Sequence, residues 1–185
     1  MSHDPCRDTS SRMPILAGAW YPAEKSACEG HFDRFEERAV VAKGGGLRAG
    51  VLPHAGWVFS GSIAYNVVRE LARRGQPAET LVLFAGHLSA ETKPTVMGCG
   101  SCWTPYGAIP VDEPLAQALL AKVPGLRQET PSRHSQDNST EVQFPFLKRF
   151  FPNAKILLIG APPCSETLEL AEAIVKEANE VGREL

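Results

Sequence analysis

The chain has 185 residues, of which 43% are hydrophobic and 22% are charged, and its formal net charge at pH 7 is −2. This length and composition suffice for one globular domain, and the lack of a basic excess argues against binding to nucleic acid. No run approaches the roughly 20 apolar residues of a membrane helix, and the polar first dozen residues lack a secretory signal, so we expect a cytoplasmic protein with neither nucleic acid nor membrane as a partner.

The first half of the sequence predicts a tail and then alternating helices and strands. We expect a disordered tail over residues 1–12 and a single domain over 13–185. Mixed apolar periodicity predicts a helix over 22–41, and the run LRAGVLP predicts a short buried strand over 47–53. An amphipathic helix is predicted from 61 to 74. Its expected buried face carries Ile63, Val67 and Leu71.

The second half continues the alternation. Apolar runs predict strands over 80–85, 95–99 and 154–160, and helical patterns cover 113–122, 139–151 and 166–181. Asp112 is the expected N-cap of the first of these helices, and Leu170, Ile174, Ala178 and Val181 share one face of the last. Strands that alternate with helices predict a three-layer α/β fold with a largely parallel sheet and helices on both faces. Because the sequence stops just after a helix, we expect this sheet to be incomplete at one edge.

Two histidines follow predicted strands. Ligands of open α/β sheets bind outside the carboxyl ends of the strands, which is where His54 and His87 fall, after the strands over 47–53 and 80–85. Imidazole is a common ligand for iron, copper and zinc, so the two loops are predicted to converge on one divalent transition metal. The alternative is that each is a loop histidine satisfied by backbone groups. His3, His31 and His134 are not assigned to the site.

Other polar residues are candidates for the same crevice. Glu141 is a candidate metal ligand or general base, but Asn138 as N-cap with Glu141 three residues later would also form a capping box. Cys164 follows the strand over 154–160 and is either a further metal ligand or a structural thiol. Cys99 and Cys102 form a lone CxxC, whose spacing suits half of a zinc site or a redox pair. No second pair completes a zinc site and the segment does not open a helix, so a structural role is favoured over these alternatives. All five cysteines are treated as thiols.

Aromatic residues flank the histidine loops. Trp20, Tyr21, Trp57 and Phe59 are candidate pocket walls for an aromatic ligand or a peptide. Core packing alone would also explain such aromatic residues.

Four ordered sequence blocks carry a family resemblance. They are AGAWYP at 17–22, PHAGW at 53–57, WTPYG at 103–107 and STEVQFPFL at 139–147. Together they resemble the Memo-like family, which is similar, more distantly, to extradiol ring-cleaving dioxygenases. The resemblance implies a metal site at His54 and His87, pocket positions at Asn138 and Gln143, and association with radical-SAM system proteins.

The sequence also departs from the family pattern. His87 stands in AGH where the family has Gly-Pro-Ser-His or Gly-Pro-Asn-His, and Asn138 replaces a histidine. The family also continues past the position of Leu185 to a distal cysteine ligand, so about the last third is expected to be absent. The third metal ligand is then missing, or supplied by Cys164 or Glu141, or provided by another chain.

Three hypotheses follow for function. The first is a metal-binding protein with redox or dioxygenase-related activity, in which His54 and His87 are ligands and Glu141 assists. The second is a non-catalytic module that binds a peptide or protein in the same crevice. The third is a fragment whose uncovered sheet edge pairs with a second copy or with a partner chain.

Overall fold

The computed structural model describes residues 11–185. The helices are α1 (Lys25–Glu36), α2 (Ser62–Arg74), α3 (Glu113–Lys122), α4 (Asn138–Glu141), α5 (Phe144–Phe150) and α6 (Ser165–Glu180). The strands are β1 (Ser11–Arg12), β2 (Thr80–Ala85), β3 (Thr95–Met97), β4 (Ser101–Cys102), β5 (Ile109–Pro110), β6 (Arg127–Glu129) and β7 (Lys155–Gly160). The disordered tail predicted for 1–12 lies outside the described residues except for its last two, which form β1.

The main sheet has four strands in the order β2-β7-β3-β6. β2 pairs with β7 and β3 pairs with β6 in parallel, whereas β3 and β7 are antiparallel. Residues 156–159 of β7 are all buried, as expected for a strand covered on both faces. The helices pack in two groups: α2 packs against α1 and α5, and α3 packs against α6. The predicted α/β class is confirmed.

A smaller sheet of three strands lies beside the main one. Its order is β1-β4-β5, with β1 parallel to β4 and β4 antiparallel to β5. The side chain of Arg12 in β1 donates a hydrogen bond to Thr140 at the end of α4. This contact ties the small sheet to the segment that precedes α5.

The prediction of a strand over 47–53 is wrong. The segment has no regular structure, and Val51 is 93% exposed, which is incompatible with a buried strand. A strand exists only where another strand completes its hydrogen-bond ladder. This segment instead lies against α2, where Gly50 approaches Val67 and Leu71. His54 therefore follows an irregular loop.

Several helix bounds differ from the prediction. α1 is shorter than the predicted 22–41, and the single helix predicted over 139–151 is divided into α4 and α5. Pro145 lies in the first turn of α5, where its missing N–H costs nothing, but in one continuous helix it would remove an internal hydrogen bond. The predicted buried face of α2 is also wrong at Ile63, which is 58% exposed.

A π-helical segment, Trp57–Gly61, leads directly into α2. The ring of Trp57 is buried and stacks on Phe146 with a centroid distance of 4.3 Å. A Cβ atom at Gly61 would lie 2.7 Å from Cζ of Phe35, so this turn requires glycine. The segment fixes the loop that carries His54 against the aromatic core.

None of the helices among residues 11–185 has the length and apolar character needed to cross a bilayer.

Candidate functional site

The two predicted histidines lie next to each other. The ring centroids of His54 and His87 are 4.9 Å apart, and the ring planes meet at 75°. Two imidazoles that bind one zinc ion at a tetrahedral angle, with bonds of about 2.0–2.1 Å, would have ring centres about 5 Å apart. The observed separation of the ring centres is of this size.

His87 is placed by the end of β2 and by a glycine. Gly86 has a φ of +115°, a left-handed conformation that side chains rarely adopt, and its backbone nitrogen donates to Oγ of Ser139. The chain therefore turns sharply after Ala85 and carries His87 toward the start of α4. The side chain of His87 is 58% exposed.

Asp137 holds His87 through one carboxylate oxygen. Oδ2 accepts a hydrogen bond from the backbone nitrogen of His87 at 2.7 Å and lies 3.0 Å from Nδ1 of the ring. Burial alone would raise the pKa of Asp137, but hydrogen bonds from Ser139 and His87 outweigh it and hold the pKa below its ordinary value. Histidine ligands of metals commonly use their second ring nitrogen in this way.

Asp137 is the candidate site residue that the sequence analysis did not select. It is also the N-cap of α4, because Oδ1 accepts from the backbone nitrogen of Ser139 at 2.7 Å. The predicted N-cap, Asn138, is instead the first residue of the helix. The signal in the sequence was an aspartate two residues before a serine at a helix start.

His54 has its own polar partner. Nδ2 of Asn138 lies 2.8 Å from the carbonyl oxygen of His54 and 3.2 Å from Nδ1 of its ring. The side chain of Gln143 donates to the carbonyl oxygen of Pro53 at 2.8 Å. The predicted pocket residues Asn138 and Gln143 thus both fix the loop that carries His54.

Glu141 is buried and occupied by other contacts. Its carboxylate accepts hydrogen bonds from the backbone nitrogens of Ile15 and Leu16 and from the hydroxyl of Tyr21. Burial, together with the charge and hydrogen bond of Glu141, raises the pKa of Tyr21 above its ordinary range. These contacts join α4 to the 15–21 segment. They take the place of the hydrogen bond that the glutamate of a capping box accepts from the backbone nitrogen of the N-cap residue.

The other predicted site residues lie in different settings. Cys164 is the half-buried N-cap of α6, and its sulfur lies 3.8 Å from Oγ1 of Thr167. Tyr21 and Trp57 belong to the buried core, whereas Trp20 is 39% exposed. Burial raises the pKa of the Cys102 thiol to about 12, which disfavours the reactive thiolate and agrees with a structural role.

The structure brings together two candidate ligands rather than three. Across residues 11–185, no group of three His, Cys, Asp or Glu side chains is arranged to hold a metal ion. Neither Cys164 nor Glu141 therefore completes such a group with the two histidines. A cavity of about 300 Å³ lies elsewhere, between Lys93, Lys122 and Glu166, and no predicted site residue lines it.

Comparison with known proteins gives the family of this chain. A model of the family described as "Memo-like protein" matches residues 12–184. The chain belongs to the Memo-like family. Its relatives include "MEMO1 family protein" sequences from Pyrobaculum arsenaticum, 29% identical over 93% of this chain, and Thermococcus onnurineus, 29% identical over 94%. A relative from Pyrobaculum aerophilum is 31% identical over 93%.

This Memo-like chain is shorter than these relatives. It spans 64% of the length of the Pyrobaculum arsenaticum relative and 62% of that from Thermococcus onnurineus. The family match covers nearly all of the described residues, so the histidine loops, α4 and the main sheet all lie within it.

Proposed function

We propose that this Memo-like chain contributes two ligands, His54 and His87, to a pocket for a divalent transition metal. The observation that carries the proposal is the 4.9 Å approach of the two rings, which suits one shared ion. Asp137 supports it, because a carboxylate on Nδ1 orients a histidine and strengthens its other nitrogen as a ligand. Iron, copper and zinc all accept imidazole ligands.

The rest of the coordination sphere would come from solvent, from a substrate or from residues outside this chain. A metal with open positions can supply redox chemistry or the activation of dioxygen or water, which is the basis for proposing dioxygenase-related activity. The residues of this chain would bind the ion, orient His87 through Asp137 and hold the His54 loop through Asn138 and Gln143.

The proposal is tested with protein purified without an affinity tag and stripped of metal with a chelator. We expect calorimetric titration with Co²⁺ to give one binding site, which the double variant His54→Ala, His87→Ala abolishes. The matched control is His134→Ala, because Nδ1 of His134 lies 2.9 Å from the carbonyl oxygen of Pro131 and this histidine is not a predicted ligand. A folded wild-type protein that binds no Co²⁺, or a double variant that still binds it, overturns the proposal.

The second candidate is a non-catalytic module for a peptide or protein. Exposed apolar side chains beside the histidine loop favour it, since Val58 and Phe59 in the π-helical segment are 82% and 84% exposed. This candidate predicts a well-folded protein without Co²⁺ binding. The partner is then proposed to be a radical-SAM system protein, and pull-down with a Phe59→Ser variant as control tests that assignment.

We also propose that the outer edge of β2 pairs with a second copy or a partner chain. β2 is an end strand of the main sheet, and its Phe84 is 41% exposed. An uncovered edge strand offers unpaired backbone groups to another chain. Light scattering should give a mass above one chain, and Phe84→Lys should return it to the monomer; a wild-type monomer at all concentrations contradicts a homo-oligomer.

A further inference from the structure

The amide of Asn138 is oriented by the backbone of His54. Its Nδ2 lies 2.8 Å from the carbonyl oxygen of His54. A carbonyl oxygen only accepts hydrogen bonds, so the amide atom that faces it is the nitrogen, because the opposite orientation would set two oxygens against each other. This contact fixes which end of the amide faces the imidazole, independently of the ring itself.

The same nitrogen faces the ring of His54. Nδ2 is 3.2 Å from Nδ1, and an amide NH₂ group has a second hydrogen to donate there. Nδ1 can accept that hydrogen bond only when it carries no hydrogen. A neutral imidazole has its one hydrogen on one of its two nitrogens, so the hydrogen of His54 then lies on Nε2.

His87 is held in the opposite tautomer, with its hydrogen on Nδ1. Nδ1 lies 3.0 Å from Oδ2 of Asp137, and the backbone nitrogen of His87 fixes the same oxygen at 2.7 Å. An ionised carboxylate only accepts hydrogen bonds, so Nδ1 of His87 carries a hydrogen, and in the neutral ring Nε2 then keeps its lone pair.

We propose that Asn138 is a positioning residue that holds His54 in the Nε2–H tautomer while Asp137 holds His87 in the Nδ1–H tautomer. Without metal, the paired rings therefore present one hydrogen-bond donor and one acceptor. The consequence for metal binding rests on the function proposed above. A metal ion binds a ring nitrogen through its lone pair. Nε2 of His54 has a lone pair only after the hydrogen has moved to Nδ1, which breaks the hydrogen bond from Asn138. Asn138 thus weakens metal binding through His54.

The tautomers are measured directly in the metal-free protein. Histidine labelled with ¹⁵N, observed at pH 8 with a chelator present, gives nitrogen shifts that separate protonated from unprotonated ring positions. The signals are assigned with His54→Gln and His87→Gln variants. We expect opposite tautomers at the two residues, and a mixture at His54 in Asn138→Ala. A wild-type His54 that carries its hydrogen on Nδ1 overturns the inference, whether or not any metal binds.

Metal affinity provides the second measurement. Asn138→Ala should bind Co²⁺ about three- to tenfold more tightly than wild type, the factor that one ordinary hydrogen bond contributes. The matched control is Gln143→Ala, which removes an amide from the same loop at Pro53 without touching the ring. If both variants bound Co²⁺ more tightly by the same factor, loop mobility would explain the effect, and the proposed role of Asn138 would be contradicted. If no form binds Co²⁺ but the tautomers are as expected, only the metal proposal fails.

Discussion

Oδ2 of Asp137 lies 2.7 Å from the backbone nitrogen and 3.0 Å from Nδ1 of His87, so one oxygen fixes both the position and the ring of this histidine. Oδ1 of the same carboxylate caps α4 through Ser139. Because the two oxygens make different contacts, a substitution can remove the contact with His87 and keep the cap of α4.

Asp137→Asn should weaken Co²⁺ binding by about tenfold to a hundredfold, because loss of the outer partner of a histidine ligand has effects of this size. The amide can keep an oxygen toward Ser139 while its NH₂ faces His87, so the α4 cap is largely retained. Calorimetry measures the affinity, and urea unfolding measures the stability. Asp33→Asn is the control, since it makes the same change at an exposed position of α1; an unchanged affinity in Asp137→Asn would remove Asp137 from the site.

Glu141→Gln should lower the free energy of unfolding by about 2–3 kcal/mol, since a buried charged acceptor with several hydrogen bonds is replaced by a neutral one. Urea unfolding checks this at pH 7. Tyr21→Phe removes only one of the donors and should cost about 1 kcal/mol. If Glu141→Gln kept full stability but lost Co²⁺ binding, Glu141 would be a ligand or base, as the sequence first indicated.

The fold was predictable where the local pattern determines the element. The apolar run over 80–85 and the helix over 113–122 with its Asp112 cap coincide with β2 and α3. The run over 47–53 has the same apolar character, but whether it forms a strand depends on a neighbouring strand that a local pattern does not contain. The antiparallel pairing of β3 with β7 is likewise a tertiary property.

The site was predictable in its histidines and not in their partners. His54 and His87 could be selected from their positions after apolar runs and from the family resemblance. The carboxylate of Asp137 and the amide of Asn138 act through ring nitrogens at 3.0 and 3.2 Å, and such distances depend on how α4 packs against two loops. Glu141 is the opposite case. Its carboxylate has suitable chemistry for catalysis, but it accepts hydrogen bonds from the 15–21 segment instead.

The π-helical segment gives a prediction about packing. Gly61→Ala should destabilise the protein by about 1–3 kcal/mol, because the new Cβ would lie 2.7 Å from Phe35 and 3.0 Å from Cβ of Trp57. The matched control is Gly30→Ala in α1, where nothing lies within 4 Å of the added methyl group. Alanine favours a helix interior, so the control should gain about 0.5–1 kcal/mol. Thermal unfolding of both variants should give opposite shifts, and a neutral Gly61→Ala would contradict the described turn.

The ion pair between α1 and α2 gives a prediction about pH. Hydrogen bonds from Arg69, at 2.6 Å, and from Tyr65, at 2.9 Å, hold the pKa of Glu36 below its ordinary value. A carboxyl whose pKa is lower in the folded state stabilises the protein fully above its unfolded pKa, about 4.3, and this contribution disappears as pH falls through the folded pKa. Glu36→Gln should therefore be less stable than wild type at pH 7, and the difference should shrink below about pH 4.

Urea unfolding of wild type and Glu36→Gln between pH 7 and pH 3 measures that difference directly. The side chain of Glu36 is 48% exposed, so solvent screens the pair and the difference should also decrease with added salt. Glu37→Gln is the control because it removes the same charge from the adjacent, exposed position. A difference that stayed constant with pH, or that Glu37→Gln reproduced, would mean that net charge rather than the contacts with Arg69 and Tyr65 sets the stability.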